Sequence, residues 1–317
     1  MLARRAFVAG LLAGLAARPA RAAPTRRVGV LVADPALVAY LIHGLREAGQ
    51  DVDGEITVLR RGPAPLARDR WGPPARELAA LPADVLVAGE HAALRACREA
   101  TASVPIVGID CERDPVASGL VASLAHPGGN VTGVFLDLPA AAAQTLQLMR
   151  QALPQTARVV ALTDAVATQP QARALEAAAR AAGLGFDALD VALDEVNELV
   201  DRAAAPGTVL ILPFGARLEA MAPRIAKAAV TRRRLPSVAL FPRFAQAGGL
   251  LGYGASLPDA FRRVAATVDR LLRGERAAEL AAQRPQRFEL GVNLRTARAL
   301  DLALPASFLS RADQVVR

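Results

Sequence analysis

The chain has 317 residues, 53% of them hydrophobic and only 4% aromatic, with a formal net charge of +8. That length accommodates two domains of ordinary size, and the scarcity of aromatics leaves Leu, Val and Ala to fill their cores. The basic excess is diffuse and almost wholly arginine, with Lys227 the only lysine, and no aromatic residues interleave it, which argues against a nucleic-acid partner.

The first 22 residues read as an export signal. Arg4-Arg5 precedes an apolar stretch from Phe7 to Ala17, and Ala20-Arg21-Ala22 fits the small-residue cleavage pattern. Both a twin-arginine route and the general secretory route fit this leader. Its removal takes away four arginines and no acid, leaving a net charge of +4 on an exported, periplasmic chain. The apolar stretch is too short for a membrane span, and nothing later reaches about 18 consecutive apolar residues. No direct span is therefore predicted in the mature chain.

Strands and helices then alternate. The first half is predicted to contain strands at Val28–Ala33, Glu55–Arg60, Asp84–Ala88, Ile106–Ile109 and Val131–Phe135, with helices at Pro35–Ala48, Asp69–Leu81 and His91–Thr101. The second has strands at Arg158–Thr163, Phe186–Val191, Thr208–Pro213 and Ser237–Phe241. Its helices are Ala140–Leu153, Gln169–Ala182, Val196–Ala204 and Leu218–Thr231. A short strand at Leu250–Tyr253, an amphipathic helix at Asp259–Arg273, a strand at Phe288–Val292 and a helical tail complete the chain. The central strands are continuous apolar runs, as parallel strands covered on both faces require.

The pattern also repeats. Arg27-Val28-Gly29-Val30-Leu31-Val32 with Asp34 is echoed by Arg158-Val159-Val160-Ala161-Leu162-Thr163 with Asp164, and Val104-Pro105-Ile106-Val107 by Leu235-Pro236-Ser237-Val238, at an offset of 130 or 131 residues. The expected fold is α/β, with two similar doubly wound parallel-sheet lobes around a ligand cleft. Chain crossings are expected near Val134–Leu138, Phe244–Gly248 and Arg284–Arg287. They assign 23–134 with 248–284 to the first lobe and 135–247 with 285–317 to the second. Cys97 and Cys111, the only cysteines, are separated on this scheme by about 10 Å of helix rise. That is more than a disulfide tolerates, so two free buried thiols are expected.

Catalytic signatures are scarce. No G-x-G-x-x-G follows the first strand, and Walker A, H-E-x-x-H and G-x-S-x-G are absent. The three histidines are scattered. Asp110-Cys111-Glu112-Arg113-Asp114 has the alternating acids of a calcium loop, but Pro115 stands where that loop needs glycine. Neither a metal nor a cofactor is expected. What remains is a set of polar and aromatic residues just past strand ends. Asp34, Glu90, His91, Asp110 and Asp114 belong to the first lobe; Asp164, Phe214, Phe241 and Arg243 belong to the second, with Tyr253 between two glycines further on. An acid in such a cleft holds an amine and an arginine holds a carboxylate. Asp34 and Asp164 fit equally as helix N-caps, Glu90 as a first-turn acid, Asp114-Pro115 as a turn, and Phe214 and Phe241 as core.

Asp114-Pro115-Val116-Ala117-Ser118-Gly119-Leu120-Val121-Ala122-Ser123-Leu124, followed by His126-Pro127-Gly128-Gly129-Asn130-Val131-Thr132-Gly133, resembles a family of ABC-transporter substrate-binding proteins with the type I periplasmic-binding fold, some members of which bind aromatic amino acids. Ala247-Gly248-Gly249-Leu250-Leu251-Gly252-Tyr253-Gly254, the segment Phe288–Ala297 and the ending Leu304–Asp313 extend the resemblance over the mature chain. It departs from the family pattern at two cleft loops. Glu90-His91 replaces a Thr/Ser-Pro pair, and Pro242-Arg243-Phe244 replaces Arg-Glu-Phe. The resemblance implies a non-catalytic, exported protein that traps a small molecule, an amino acid or small carboxylate, between its lobes and presents it to a membrane permease. A ligand-sensing module for a membrane receptor and an α/β enzyme using the cleft carboxylates are the alternatives.

Overall fold

The computed structural model describes residues 26–52, 54–62, 70–110, 112–164, 168–191 and 196–317, with the side chain of residue 216 left out. The leader at 1–22 and Cys111 lie outside the described residues.

Two sheets form the molecule. The first contains β1 (Arg26–Leu31), β2 (Ile56–Arg61), β3 (Val85–Gly89), β4 (Ile106–Asp110) and β5 (Val131–Phe135), in the order β2-β1-β3-β4-β5 and parallel throughout. Helices α1 (Ala36–Glu47), α2 (Gly72–Ala80) and α3 (His91–Ala100) connect the first four strands. α4 (Leu138–Ala152) leads into the second sheet. There β6 (Arg158–Thr163), α5 (Gln169–Ala181), β7 (Gly185–Asp190), α6 (Val196–Ala203), β8 (Thr208–Leu212), α7 (Ala216–Arg233) and β9 (Ser237–Ala239) follow in turn. After a 3₁₀ turn at Pro242–Phe244 come β10 (Leu251–Ala255), α8 (Leu257–Leu272), β11 (Phe288–Asn293), α9 (Leu294–Ala299), α10 (Ala306–Leu309) and β12 (Gln314–Val316). The second sheet runs β12-β11-β10-β9-β8-β6-β7 and is parallel except where β11 meets β10.

The apolar runs read from the sequence are strands sealed on both faces. In β1, Val28 and Val30 join a core with Leu45, Phe261 and Val264 from α1 and α8. Leu31 turns to the other face with Leu78 of α2 and Leu94 of α3. In the second sheet Val159 and Ile211 pack under α4 and α5, while Val160 and Leu210 pack under α6 and α7. Burying a side chain of this size contributes about 1.5–3 kcal/mol.

One segment lies elsewhere than the sequence indicates. Residues 248–284 were assigned together to the first lobe, yet β10 hydrogen-bonds to β9 and β11 and is the fifth strand of the second sheet. The order β7-β6-β8-β9-β10 reproduces β2-β1-β3-β4-β5. The repeat was hard to follow this far because 20 residues separate β4 from β5 while only 11 separate β9 from β10. The chain therefore returns to the first lobe at Ser256, not at Phe244–Gly248, and α8 packs on α1. β12, in place of a wholly helical tail, closes the edge beside β11.

The strands between the lobes are braced. Gln283 N–H donates to Gly133 O at 2.8 Å and Phe135 N–H to Gln283 O at 2.9 Å. Arg284 donates to the carbonyls of Phe135 and Leu136 at 3.1 and 2.6 Å and reaches Asp114 Oδ2 at 3.5 Å.

Two backbone features position the cleft residues. The turn at Pro242–Phe244 lies across β10, where a Cβ on Gly252 would come 2.4 Å from Phe241 O and one on Gly254 2.5 Å from Leu240 O. Gly252→Ala must displace backbone and is expected to cost about 2–3 kcal/mol, read as a lower urea midpoint at unchanged m-value. Glu90, ahead of α3, holds φ at +85° and ψ at 147°, a region natural to glycine. Glu90→Gly is expected to be more stable than Glu90→Ala by about 1–2 kcal/mol in the same measurement.

Candidate functional site

Parallel order sends both sets of strand C-termini to the facing rims of the lobes. Between them lies a cavity with about 690 Å³ of empty space, including open solvent. Its apolar wall is Tyr40 from α1, Leu136 from the chain crossing, Phe214 beyond β8, Leu240 and Phe241 beyond β9, and Leu257 of α8. Its polar groups are Arg243, Glu219 of α7, Glu289 of β11, and the amides Gln246 and Gln314.

Phe214 is half-buried and touches three of the four cores. Its backbone is fixed by Gln171, which accepts from Phe214 N–H at 2.8 Å and donates to Phe214 O at 2.6 Å. Its ring meets Phe241 edge-on at 6.3 Å, and Phe241 meets Phe244 at 5.7 Å. Phe241 is thus both core and cavity wall.

Arg243 is the cation of the cavity. It donates to Glu219 Oε1 at 2.9 Å and lies 3.8 Å from Asp34 Oδ2 in the other lobe. Arg243 and Asp34 are 36% and 40% exposed, so their pair contributes no more than about 1 kcal/mol. Asp34, one residue ahead of the N-cap Pro35, also accepts from Ala36 N–H at 2.9 Å at the start of α1. At the other polar end, Glu289 accepts from Ser256 Oγ at 2.5 Å and from Gln314 Nε2 at 3.2 Å, and Gln246 donates to Gln314 at 2.8 Å.

The remaining expected residues gather elsewhere. Asp110 is fully buried; its Oδ1 accepts from the N–H groups of Glu112 and Arg113 at 2.7 and 3.1 Å, and its Oδ2 pairs with His91 Nδ1 at 2.8 Å. These are structural bonds at the rim of the first lobe, beside Glu90. Asp114 accepts from Val116 and Ala117 N–H at 2.9 and 2.8 Å, making the turn its Asp-Pro pair indicated. Asp164 faces Arg217 at 3.9 Å. Tyr253 is directed away from the cavity. Gly252 and Gly254 take the β10 face crossed by the turn, so the period-two alternation places Tyr253 on the opposite face, stacked on Phe288 at 5.7 Å. Burial there raises its pKa; Arg311 opposes this and Asp313 adds to it. Of the expected set, Phe214, Phe241 and Arg243 line the cavity, and Asp34 joins it through Arg243.

Sequence reasoning missed Tyr40, Glu219, Glu289, Gln246 and Gln314. Glu219 looks like an ordinary first-turn helix acid, and Gln314 reaches the cavity only because the tail becomes a strand. Cys97 is buried within the first lobe, and burial pushes its thiol pKa up to about 12, so it is an inert core residue. Among the described residues no cluster of three or more metal-ligating side chains occurs, and no helix is long and apolar enough to cross a membrane.

Comparison with known proteins places this geometry. The chain is 24% identical over 226 residues to a tyrosine-binding protein of Clostridioides difficile, an alignment covering 69% of this chain and 63% of that relative, so it spans less than two thirds of the relative's length. It superimposes on an ABC domain of Streptococcus pneumonia in complex with L-Trp at 22% identity, with a TM-score of 0.84 over 92% of this chain and all of the other. It also superimposes on the ligand-free, open structure of a substrate-binding protein with adhesive properties from Clostridium difficile, at 22% identity and a TM-score of 0.70 over 92% and 99% of the two chains. These structural likenesses show the fold. The family of ABC transporter substrate binding proteins matches residues 28–316, and the chain belongs to it.

Proposed function

We propose that the protein is an exported carrier that holds one amino acid with an apolar or aromatic side chain between its lobes and delivers it to the permease of an ABC transporter. One observation carries the reading: a single cavity drawn from both lobes combines one arginine, two carboxylates and an aromatic wall, with Asp34 beside the arginine. The ligand carboxylate pairs with Arg243, displacing the weak contact to Asp34, and its amine goes to the carboxylates of Asp34 and Glu219. The side chain packs against Phe214 and Phe241. The acids outnumber the single arginine, so a zwitterion suits the cavity better than a simple carboxylate. The named ligands of the similar proteins, L-Trp and tyrosine, support this class. Cleavage after Ala22 and a periplasmic location complete the proposal, resting on the Arg4-Arg5 leader and the small residues before Ala23.

The test is a thermal-shift screen of residues 23–317 against amino acids, small carboxylates, amines, sugars and nucleosides. A ligand at about 100 times its Kd adds about 2.7 kcal/mol. An amino acid that stabilises the protein and is recovered unchanged at one equivalent is the expected result; a hit confined to sugars or nucleosides, or conversion of the bound compound, contradicts it. Arg243→Met is expected to weaken the hit about 10- to 100-fold by titration calorimetry. Tyr253→Phe is expected to leave affinity within about twofold, because its ring is outside the cavity.

A further inference from the structure

Glu112 lies just beyond β4 in the first lobe and is 3% exposed. It is not part of the cavity lining. Its Oε2 accepts from the backbone N–H of His91, the first residue of α3, at 3.4 Å. Its Oε1 faces the other lobe: a Cβ placed on Gly215, the residue ahead of the 18-residue helix α7, would lie 3.8 Å from it. One carboxylate therefore sits between the N-terminal ends of two helices, one from each lobe. Each such end carries about half a positive charge. Two positive ends approaching across a closing cleft repel one another, and a carboxylate between them replaces that repulsion with two attractions.

Both sides of this contact are built. On the first lobe, Asp110 accepts from Glu112 N–H at 2.7 Å and is itself tied to His91. On the second, Gln171 fixes the backbone of Phe214 from both sides, directly before Gly215. A side chain on Gly215 would also meet Thr168 Cγ2 at 3.2 Å, so glycine keeps the approach open.

We infer that Glu112 is the latch between the lobes. It is a positioning residue that favours the closed arrangement by bridging the starts of α3 and α7, and it sets ligand affinity through closure without touching the ligand. Only the statement about affinity rests on the solute-binding reading.

The experiment is small-angle X-ray scattering from residues 23–317 without ligand, for the wild type, Glu112→Ala and Glu112→Gln, each with added sodium acetate or with sodium chloride at equal ionic strength. Both variants are expected to show a larger radius of gyration than the wild type. Acetate, and not chloride, is expected to return Glu112→Ala toward the wild-type value by filling the vacated anion position, while Glu112→Gln, whose amide occupies that space, stays expanded. If Glu112→Ala does not fold, the comparison of Glu112→Gln with the wild type decides. For an amino acid that binds the wild type, Glu112→Gln is expected to weaken affinity about 3- to 10-fold. Variants that scatter like the wild type overturn the inference. So does an expanded Glu112→Ala that acetate leaves unchanged, or loss of binding in Glu112→Gln at unchanged scattering, which makes Glu112 a ligand contact. If no amino acid binds the wild type, the solute-binding reading fails, and the scattering still decides on the latch.

Discussion

Parallel strands covered by helices on both faces leave polar chemistry only at their ends. This constraint organises the whole molecule. The interiors of β1, β3, β6 and β8 are apolar and sealed, so the cavity is lined from the loops beyond the strand C-termini, from α1, α7 and α8, and from the edge strands β11 and β12. Because the same strand order is built twice, two such rims exist. The chain crosses between them at 136–137, at Ser256 and at 284–287, and these crossings turn the two rims toward one cavity. Arg284 ties the first crossing to the third and to the Asp114 turn.

The cavity divides its tasks in a way that suits reversible capture. Its aromatic wall is rigid, since Phe214 and Phe241 are anchored in core and by Gln171. Its charged groups are only partly buried, and Arg243 is paired with two carboxylates of the protein. Half-exposed ion pairs of this kind contribute little to stability. Away from the cavity, the Asp110–His91–Glu112 cluster is buried and tightly bonded. Its Glu112 faces the start of α7 in the other lobe, whereas Arg243 and Phe214 line the cavity.

Much of the fold was legible because periodicity and repetition are local signals. The apolar runs at Val28 and Val159 and their echo 131 residues apart give the strands and the duplicated plan. The fifth strand of the second sheet was assigned to the wrong lobe, because a shortened connection removed it from the repeat's offset. The site was less legible. Phe214, Phe241 and Arg243, singled out because strand ends point to a cleft, line the cavity, and Asp34 lies beside Arg243. Tyr253 lies outside the cavity lining, and the two glycines beside it are where the backbone of the Pro242–Phe244 turn approaches β10. Glu219, Glu289 and Gln314 carry no local signal, since their approach to one cavity depends on a helix, an antiparallel strand and a terminal edge strand meeting in space. Glu112 was read only as part of an acidic run, and its place between two helix starts depends on how the lobes face each other.

The most direct measurement is a crystal structure of the protein with the amino acid that stabilises it most. The account predicts a single molecule in the cavity, its carboxylate on Arg243 and its side chain against Phe214 and Phe241, contacted by both lobes. A ligand held by one lobe alone, or seated away from Arg243, would contradict it.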